Sequence, residues 1–275
     1  MKKINLRGSL FYYEDIRPDR SPTIVMIHGH PFDHSMWQYQ YDALKEYRLI
    51  VPDLKGYGRS DYQFEKIYIE EQALDIALML DALGLPDVHL IGLSMGGQII
   101  VEFARLFPHR VNSLIICASS PTAETQESYQ HRLQLANYIE SVGMEQYTRE
   151  DIHKYLHPDT VKAECVVYAH LFKMMADTKT EGAVASHRGR AERRDNTLYL
   201  KEMMVPSLIV AGEQDYFFPV ATLQELADQM PNAVFRVIEG AGHLPNMEQP
   251  DNFNRAILHF YRHQLLTRSA YARRK

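Results

Sequence analysis

A serine flanked by glycines is the first group in this chain that could do chemistry. Residues 92–96 read Gly-Leu-Ser-Met-Gly, at the end of an apolar run and before a stretch with helical apolar spacing. Glycines two positions from Ser94 on either side relieve the crowding of a sharp strand-to-helix turn. The N-terminus of the following helix favours negative charge at the serine. The pattern therefore predicts that Ser94 is a nucleophile.

A serine nucleophile needs a general base, and the chain offers 13 histidines. His243 follows residues 239–242, Glu-Gly-Ala-Gly, just beyond the last predicted strand. His259 stands instead among apolar residues of the last predicted helix. Five others lie in a helical middle region, where some could line a pocket but isolated histidines are usually structural: His131, His153, His157, His170 and His187. We therefore predict His243 as the base.

The base in turn needs an acidic residue that orients its ring. Asp215 closes residues 212–215, Gly-Glu-Gln-Asp, which follow another apolar run. An aspartate at this position can also serve only to form a turn. Glu213 is the nearest rival for the orienting role, and Asp228 falls on a predicted helix surface. We predict Asp215 as the orienting acid.

Acyl chemistry also requires two N–H groups that stabilise an oxyanion. The first is expected to be the backbone N–H of Met95, the residue after the nucleophile. The second is expected from residues 28–32, His-Gly-His-Pro-Phe, which follow the first core strand. Pro31 has no N–H to donate. The backbone N–H of His30 is therefore the preferred candidate, with Phe32 behind it.

Apolar runs typical of doubly covered strands alternate with segments of helical spacing. The predicted core strands are residues 23–28, 48–53, 88–93, 111–118, 207–211 and 234–239, preceded by two short strands at 3–6 and 10–15. The predicted helices of the core are residues 35–46, 67–83, 96–107, 222–230 and 251–265. This alternation predicts an α/β fold with a mostly parallel, doubly wound sheet.

A helical insertion interrupts the alternation. Residues 121–203 are helical in pattern, whereas residues 1–120 and 204–275 supply the α/β core. An insertion at the carboxyl ends of the strands would cover the place where open α/β sheets bind ligands. We predict a cap over a substrate pocket whose lining includes the side chains of Met95, Phe32, Trp37, Phe217, Phe218 and Leu244.

A basic run crosses the predicted cap at residues 187–194, His-Arg-Gly-Arg-Ala-Glu-Arg-Arg. Such a run is typical of a solvated helix face. If Arg188 or Arg190 faces the pocket instead, it could bind a substrate carboxylate. That orientation predicts a preference for acidic acyl substrates.

Composition excludes several classes of protein. The 275 residues are 45% hydrophobic and 24% charged, which argues against disorder. No apolar run approaches the roughly 20 residues of a membrane span, and no signal-peptide pattern begins the chain. A net charge of −5 does not favour nucleic acid. Two cysteines exclude a disulfide framework and a cysteine-based zinc site, so we expect a cytoplasmic protein.

Four motifs together resemble the α/β-hydrolase fold superfamily, in its group of small esterases and lactonases with a helical cap. They are residues 28–31, 53–60 (Asp-Leu-Lys-Gly-Tyr-Gly-Arg-Ser), 92–97, and the pair 212–215 with 240–243. The chain order Ser94, Asp215, His243 is also the order of this superfamily. Within it, the sequence is similar to 3-oxoadipate enol-lactonases, pimeloyl-ester carboxylesterases and aryl esterases or perhydrolases, which the motifs do not separate.

The resemblance implies a serine hydrolase that cleaves a small carboxylic ester or lactone through an acyl-enzyme. It implies neither a cofactor nor a metal, and the histidines form no H-E-x-x-H pattern of a metallohydrolase. Haloalkane dehalogenases and epoxide hydrolases carry aspartate where Ser94 stands, so the serine argues against both. Two alternatives stay open: a small-molecule receptor with vestigial turnover, and a C–C bond hydrolase or acyl transferase with the same triad. The sequence leaves the oligomeric state open.

Overall fold

Eight strands form one sheet in the order β1-β2-β4-β3-β5-β6-β7-β8. The computed structural model describes residues 1–61 and 65–272, with side chains up to residue 262. The strands are β1 (Lys2–Leu6), β2 (Ser9–Ile16), β3 (Thr23–Ile27), β4 (Arg48–Pro52), β5 (Val88–Leu93), β6 (Val111–Cys117), β7 (Ser207–Gly212) and β8 (Ala233–Ile238). β2 pairs antiparallel with β1 and β4, and the remaining pairs are parallel. The mostly parallel α/β sheet is confirmed.

Helices connect the parallel strands, as the alternation predicts. They are α1 (Ile69–Ala82), α2 (Met95–Leu106), α3 (Gln126–Asp151), α4 (Pro158–Ala163), α5 (Val166–Ala176), α6 (Thr180–Ala191), α7 (Thr197–Leu200), α8 (Val220–Asp228), α9 (Pro245–Glu248) and α10 (Pro250–Ala272). Short α9 is an element that the sequence did not predict. None of the helices in the described residues has the length and apolar character needed to cross a membrane.

The two faces of the sheet pack against different helices. In β3, Ile24 and Met26 belong to one buried apolar cluster, whereas Val25 and Ile27 belong to a second. Residues of α10 share the first cluster, and residues of α1, α2 and α8 share the second. Because helices cover both faces, the central strands are buried along their whole length, which explains their uninterrupted apolar runs.

Helices α3 to α7 all lie between β6 and β7, within the segment predicted as a cap. Helix α3 is divided at Gly143, whose φ of 78° breaks the helical geometry. It packs against α5 and α6. The side chains of Ile139, Tyr155 and Met175 join the same apolar cluster as Phe32 of the core. We keep residues 121–203 as the proposed cap.

The helix predicted over residues 35–46 is wrong in type and length. A 3-10 helix covers His34–Gln40, and turns follow it. The carbonyl of Met36 accepts a hydrogen bond from Asn246 Nδ2 at 2.8 Å, and that of Tyr39 accepts from Asn254 Nδ2 at 2.9 Å. In an α-helix these carbonyls would bind N–H groups four residues later. The Asn246 and Asn254 side chains, from α9 and α10, thus bind the carbonyl groups that a continuous α-helix would use for its own hydrogen bonds.

Candidate active site

Ser94 sits in a strained turn between β5 and α2. Its backbone has φ 55° and ψ −116°, a conformation that costs of order 1–3 kcal/mol for a residue other than glycine. A Cβ added at Gly92 would lie 2.3 Å from Gly96 O, and one added at Gly96 would lie 2.2 Å from Ile27 O. Both flanking positions therefore require glycine because neighbouring backbone approaches so closely.

Hydrogen bonds from the neighbouring strand hold this turn in place. Ser94 N donates to Cys117 O at the end of β6 at 2.9 Å. The Ser119 hydroxyl donates to Ser94 O at 2.7 Å. The carboxyl ends of β5, β7 and β8 meet at the same edge of the sheet. Ser94, Asp215 and His243 each follow one of these strand ends.

His243 and Asp215 form a buried hydrogen-bonded pair. His243 Nδ1 lies 2.9 Å from Asp215 Oδ2 and 3.1 Å from Oδ1. An ionised carboxylate only accepts hydrogen bonds, so Nδ1 carries the proton and Nε2 is the free basic nitrogen. Asp215 Oδ1 also accepts from the backbone N–H groups of Phe217 at 2.8 Å and Phe218 at 3.2 Å. These contacts fix the carboxylate and, through it, the imidazole ring.

Glu213, the rival acid, turns to a different partner. Its Oε2 accepts a hydrogen bond from Gly240 N at 2.9 Å. This bond ties the turn after β7 to the loop that carries His243. Among the described residues, Asp215 is the acid hydrogen-bonded to the His243 ring.

The two candidate oxyanion donors in the loop after β3 differ in their hydrogen bonds. Phe32 N donates to Gly29 O at 3.1 Å, which takes Phe32 out of the role of oxyanion donor. His28 braces the loop, since its Nδ1 lies 2.8 Å from Gly29 O and its Nε2 accepts from Leu54 N at 3.0 Å. The His30 N–H makes no hydrogen bond to another described residue. Its role with the Met95 N–H as an oxyanion hole stays a prediction.

Aromatic rings surround the His243 imidazole. The ring centroids of Phe217, Tyr155 and Phe218 lie 4.9, 5.8 and 5.9 Å from it. Phe32 contacts Tyr155 in turn, with centroids 5.6 Å apart. These rings form an apolar wall on the His243 side of the site. Phe217 is 39% exposed, so this wall reaches solvent.

Trp37 and Leu244 were also predicted to line the pocket. Both are completely buried in the apolar cluster shared with α10. The indole of Trp37 packs against Phe253, with centroids 6.4 Å apart. Among the described residues, Trp37 has no hydrogen bond to Ser94, Asp215 or His243 and no aromatic contact with His243, and its place in the lining stays a prediction.

A polar corner, formed by His30, Tyr57, Ser186, His187 and Arg190, lies beside Met95. His30 Nδ1 lies 2.7 Å from the Tyr57 hydroxyl, and the His30 and His187 rings are 4.3 Å apart. The Ser186 hydroxyl lies 3.3 Å from Met95 Sδ. Burial and neighbouring arginines hold the pKa of His30 well below its ordinary value. Burial likewise holds the pKa of His187 well below its ordinary value, so both imidazoles are neutral near pH 7.

The model of the alpha/beta hydrolase family matches residues 24–256 of the chain. The chain belongs to the α/β hydrolase family. A 3-oxoadipate enol-lactonase of Acinetobacter baylyi is 29% identical over 255 residues, which cover 90% of this chain and 92% of that protein. The resemblance inferred from the four motifs is confirmed.

Solved structures of the family are similar over almost the whole chain. A thermophilic esterase from Thermogutta terrifontis, solved with malate bound, is 30% identical, with a TM-score of 0.91 and coverage of 96% of this chain and 99% of that one. The enol-lactonase from Burkholderia xenovorans LB400 is 25% identical, with a TM-score of 0.87 and coverage of 94% and 99%. The relatives of this α/β hydrolase therefore include both esterases and enol-lactonases.

The basic run of this α/β hydrolase divides between surface and interior. Arg188 forms an ion pair with Glu140 at 2.7 Å and is partly exposed. Arg190 is buried, and its Nε lies 3.4 Å from Gln98 Oε1. Residues two apart on an α-helix point in directions about 200° apart. Of the two alternatives, Arg190 therefore faces the interior and Arg188 the surface.

Glu248 links the loop of His243 to the proposed cap, and sequence reasoning missed it. Its Oε1 accepts from Gly242 N at 2.7 Å, and its Oε2 accepts from His157 N at 2.6 Å. Burial raises the pKa of Glu248, although these hydrogen bonds oppose the shift. The His243 N–H also donates to Tyr155 O at 3.1 Å. No spacing in the sequence marks a glutamate for this role.

Asp33, His34 and Asp53 form one group of metal-ligating residue types in the described part of the chain. Asp53 Oδ1 accepts from His34 N and lies 2.7 Å from His34 Nδ1, whereas Oδ2 accepts from Arg59 N. Protein donors therefore occupy the Asp53 carboxylate. We assign it to holding the loop at 53–60, not to a metal.

Proposed function

We propose that this α/β hydrolase is a serine hydrolase that cleaves small carboxylic esters or lactones through an acyl-enzyme. The observation that carries the proposal is the buried His243–Asp215 pair at the sheet edge that also holds Ser94. Since Asp215 accepts the Nδ1 proton, His243 keeps Nε2 free to act as a base. The strained turn at Ser94 is the further support, because strain of this kind collects at functional sites.

In the first half of the reaction, His243 Nε2 takes the hydroxyl proton as Ser94 Oγ attacks the acyl carbonyl. A tetrahedral intermediate forms, and its negative charge is stabilised by the N–H groups of Met95 and His30 and by the N-terminus of α2. Asp215 stabilises the imidazolium that results. The imidazolium then gives its proton to the leaving oxygen as the C–O bond breaks.

In the second half, water replaces the leaving group. His243 takes a proton from the water, whose oxygen attacks the acyl carbonyl, and then returns the proton to Ser94 Oγ. The products are a carboxylic acid and an alcohol, or one hydroxy or oxo acid when the substrate is a lactone. The residues supply every proton transfer, so the mechanism requires neither a cofactor nor a metal.

The relatives support an acyl substrate. They are an esterase and two enol-lactonases, and the substrates of both kinds of enzyme present a carbonyl with an oxygen leaving group. A small-molecule ester or lactone is therefore the partner that we propose for this chain.

The test is hydrolysis of a panel of 4-nitrophenyl esters of graded acyl length, beside simple lactones. Ser94→Ala removes the nucleophile, so we expect kcat to fall by at least about 10⁴-fold. Ser141→Ala, at an exposed position in α3, is the matched control and should leave kcat unchanged. Wild-type-like turnover by the Ser94 variant would overturn the proposal.

A further inference from the structure

Arg190 is a buried cation that no carboxylate of the described residues pairs with. It is 6% exposed, and its guanidinium donates one long hydrogen bond, to Gln98 Oε1. The three other arginines near it in sequence are different, since Arg188 and Arg193 form ion pairs and Arg194 is exposed. An unpaired buried charge is costly. Its position suggests that its counter-ion comes from outside the chain.

The charges around Arg190 also favour an anion. Arg132 and Arg193 both bind Glu124, and they hold its pKa at about 2 even though burial raises it. Burial and these two arginines lower the pKa of Arg190 to about 9, which leaves it charged near pH 7. Asp195 also lies near Arg193. The cluster therefore has three arginines and two acids, and its net charge is positive.

Arg190 lies next to the groups that surround Ser94. Gln98, its hydrogen-bond partner, is one helical turn after Ser94 and donates its N–H to Ser94 O at 3.2 Å. His187 precedes Arg190 by three residues in α6, so the two share a helix face. The His187 ring contacts the ring of His30, whose N–H is the proposed oxyanion donor.

The two imidazoles add unused hydrogen-bonding groups at this corner. Both ring nitrogens of His187 and Nε2 of His30 are buried without a hydrogen-bond partner among the described residues. A buried polar group left unpaired destabilises the folded chain. Each neutral imidazole has one N–H to donate. A ligand with acceptor oxygens would bind the N–H of His187 and the Arg190 guanidinium together.

The acyl side of the substrate fits this corner better than the leaving group. The leaving oxygen must receive its proton from His243, whose ring packs against the partly exposed Phe217. That side is apolar and open, as a departing alcohol requires. The polar corner at Arg190 is buried, and it adjoins the loop that carries His30.

We propose that Arg190, with His187, binds a carboxylate at the far end of the acyl group. Preferred substrates are then esters or lactones whose short acyl chain carries a terminal carboxylate. This inference rests on the proposed serine hydrolase and names its substrate class.

The first test compares two esters on the wild-type enzyme. Mono-4-nitrophenyl glutarate and 4-nitrophenyl pentanoate have the same leaving group and acyl length, but only the glutarate ends in a carboxylate. We expect kcat/KM to be about 10- to 100-fold higher for the glutarate, because hydrogen bonds to charged groups contribute about 1.5–3 kcal/mol. Equal values, or a preference for pentanoate, would overturn the inference.

The second test removes the charge. Arg190→Gln should abolish the preference for the glutarate, measured as the ratio of the two kcat/KM values within the variant. Arg188→Gln, in the same helix but on its surface, should keep the preference. Circular dichroism reports whether the Arg190 variant is folded. If it is not, Arg190→Lys replaces it, and loss of most of the preference is expected because lysine lacks the two-pronged geometry.

A binding measurement separates this inference from the proposed function. Calorimetry of the Ser94→Ala enzyme with glutarate needs no turnover, and binding should be lost in Ser94→Ala/Arg190→Gln. Absence of glutarate binding, with normal hydrolysis of the pentanoate by the wild type, would refute the subsite alone. Absence of hydrolysis of either ester by the wild type, with glutarate still bound, would refute the serine hydrolase alone.

Discussion

Ser94 and the His243–Asp215 pair both lower the stability of the folded chain. The serine takes a left-handed φ of 55°, and the imidazole and carboxylate are almost fully buried. The backbone N–H groups of Phe217 and Phe218 donate hydrogen bonds to the Asp215 carboxylate, which offsets part of the free-energy cost of burying it. If Asp215 only formed a turn, the two hydrogen bonds from the backbone would be sufficient, and a bond to a histidine would not be needed. The additional bond to His243 is what favours a functional role.

Asp215→Asn tests that role against the rival Glu213. An amide can accept from the two N–H groups but no longer fixes the tautomer of His243, so we expect kcat to fall about 10³- to 10⁴-fold. Glu213→Gln should change kcat by less than about tenfold, because Glu213 binds Gly240 N instead. The measurement is kcat with one 4-nitrophenyl ester. Equal losses in the two variants would contradict the assignment.

Residue types and their place after strands were enough to select Ser94, Asp215 and His243 as candidates. The same reasoning could not separate Arg188 from Arg190. Helix α6 carries small residues such as Gly182 and Ala183 and is buried on most sides, so the sequence shows no clear polar face. Which arginine faces inward depends on the packing of α6 against α3, which is a tertiary property.

The loop after β8 and helix α9 act together through Glu248. One carboxylate binds the N–H groups of Gly242 and His157, so the loop of His243 and the proposed cap share a single anchor. Without the Glu248 carboxylate, the N–H groups of Gly242 and His157 would each lose this hydrogen bond. The anchor links the position of His243, the proposed base, to that of the proposed cap.

Glu248→Gln should lower the free energy of unfolding by about 1–3 kcal/mol. The glutamine amide has one acceptor oxygen, so one of the two N–H groups meets an NH₂ group in its place. Urea denaturation gives the value, and Glu225→Gln, at an exposed position of α8, is the matched control, expected to stay within about 0.5 kcal/mol. Equal stability of both variants would show that Glu248 is not an anchor.

Local sequence patterns gave a wrong prediction where contacts with distant elements determine the backbone conformation. The segment at residues 35–46 has helical apolar spacing, yet Asn246 and Asn254 bind its carbonyls and the segment becomes a short 3-10 helix. Those asparagines are more than 200 residues away in the chain. By contrast, β3 and β5 were predictable because strands buried on both faces must be apolar throughout.

Across the whole molecule, the proposed cap contacts the core closely. A Cβ added at Gly182 of α6 would lie 2.0 Å from Gly56 O in the loop at 53–60. Lys179 Nζ donates to Ser60 O at 3.0 Å, and Thr178 Oγ1 donates to Pro31 O at 3.1 Å. These contacts bring α6, with His187 and Arg190, against the loop after β3 that carries the proposed oxyanion donor, His30. The overall alternation predicted that an insertion would cover the sheet edge, but not which of its helices would do so.

The most direct test of the central claim is covalent labelling with a fluorophosphonate, followed by peptide mass spectrometry. The reagent reacts with a serine that a histidine activates, so we expect one adduct, on Ser94, and none in Ser94→Ala. Asp215→Asn should slow the labelling of Ser94. An adduct on any other residue, or no adduct on the folded wild-type enzyme, would contradict the account.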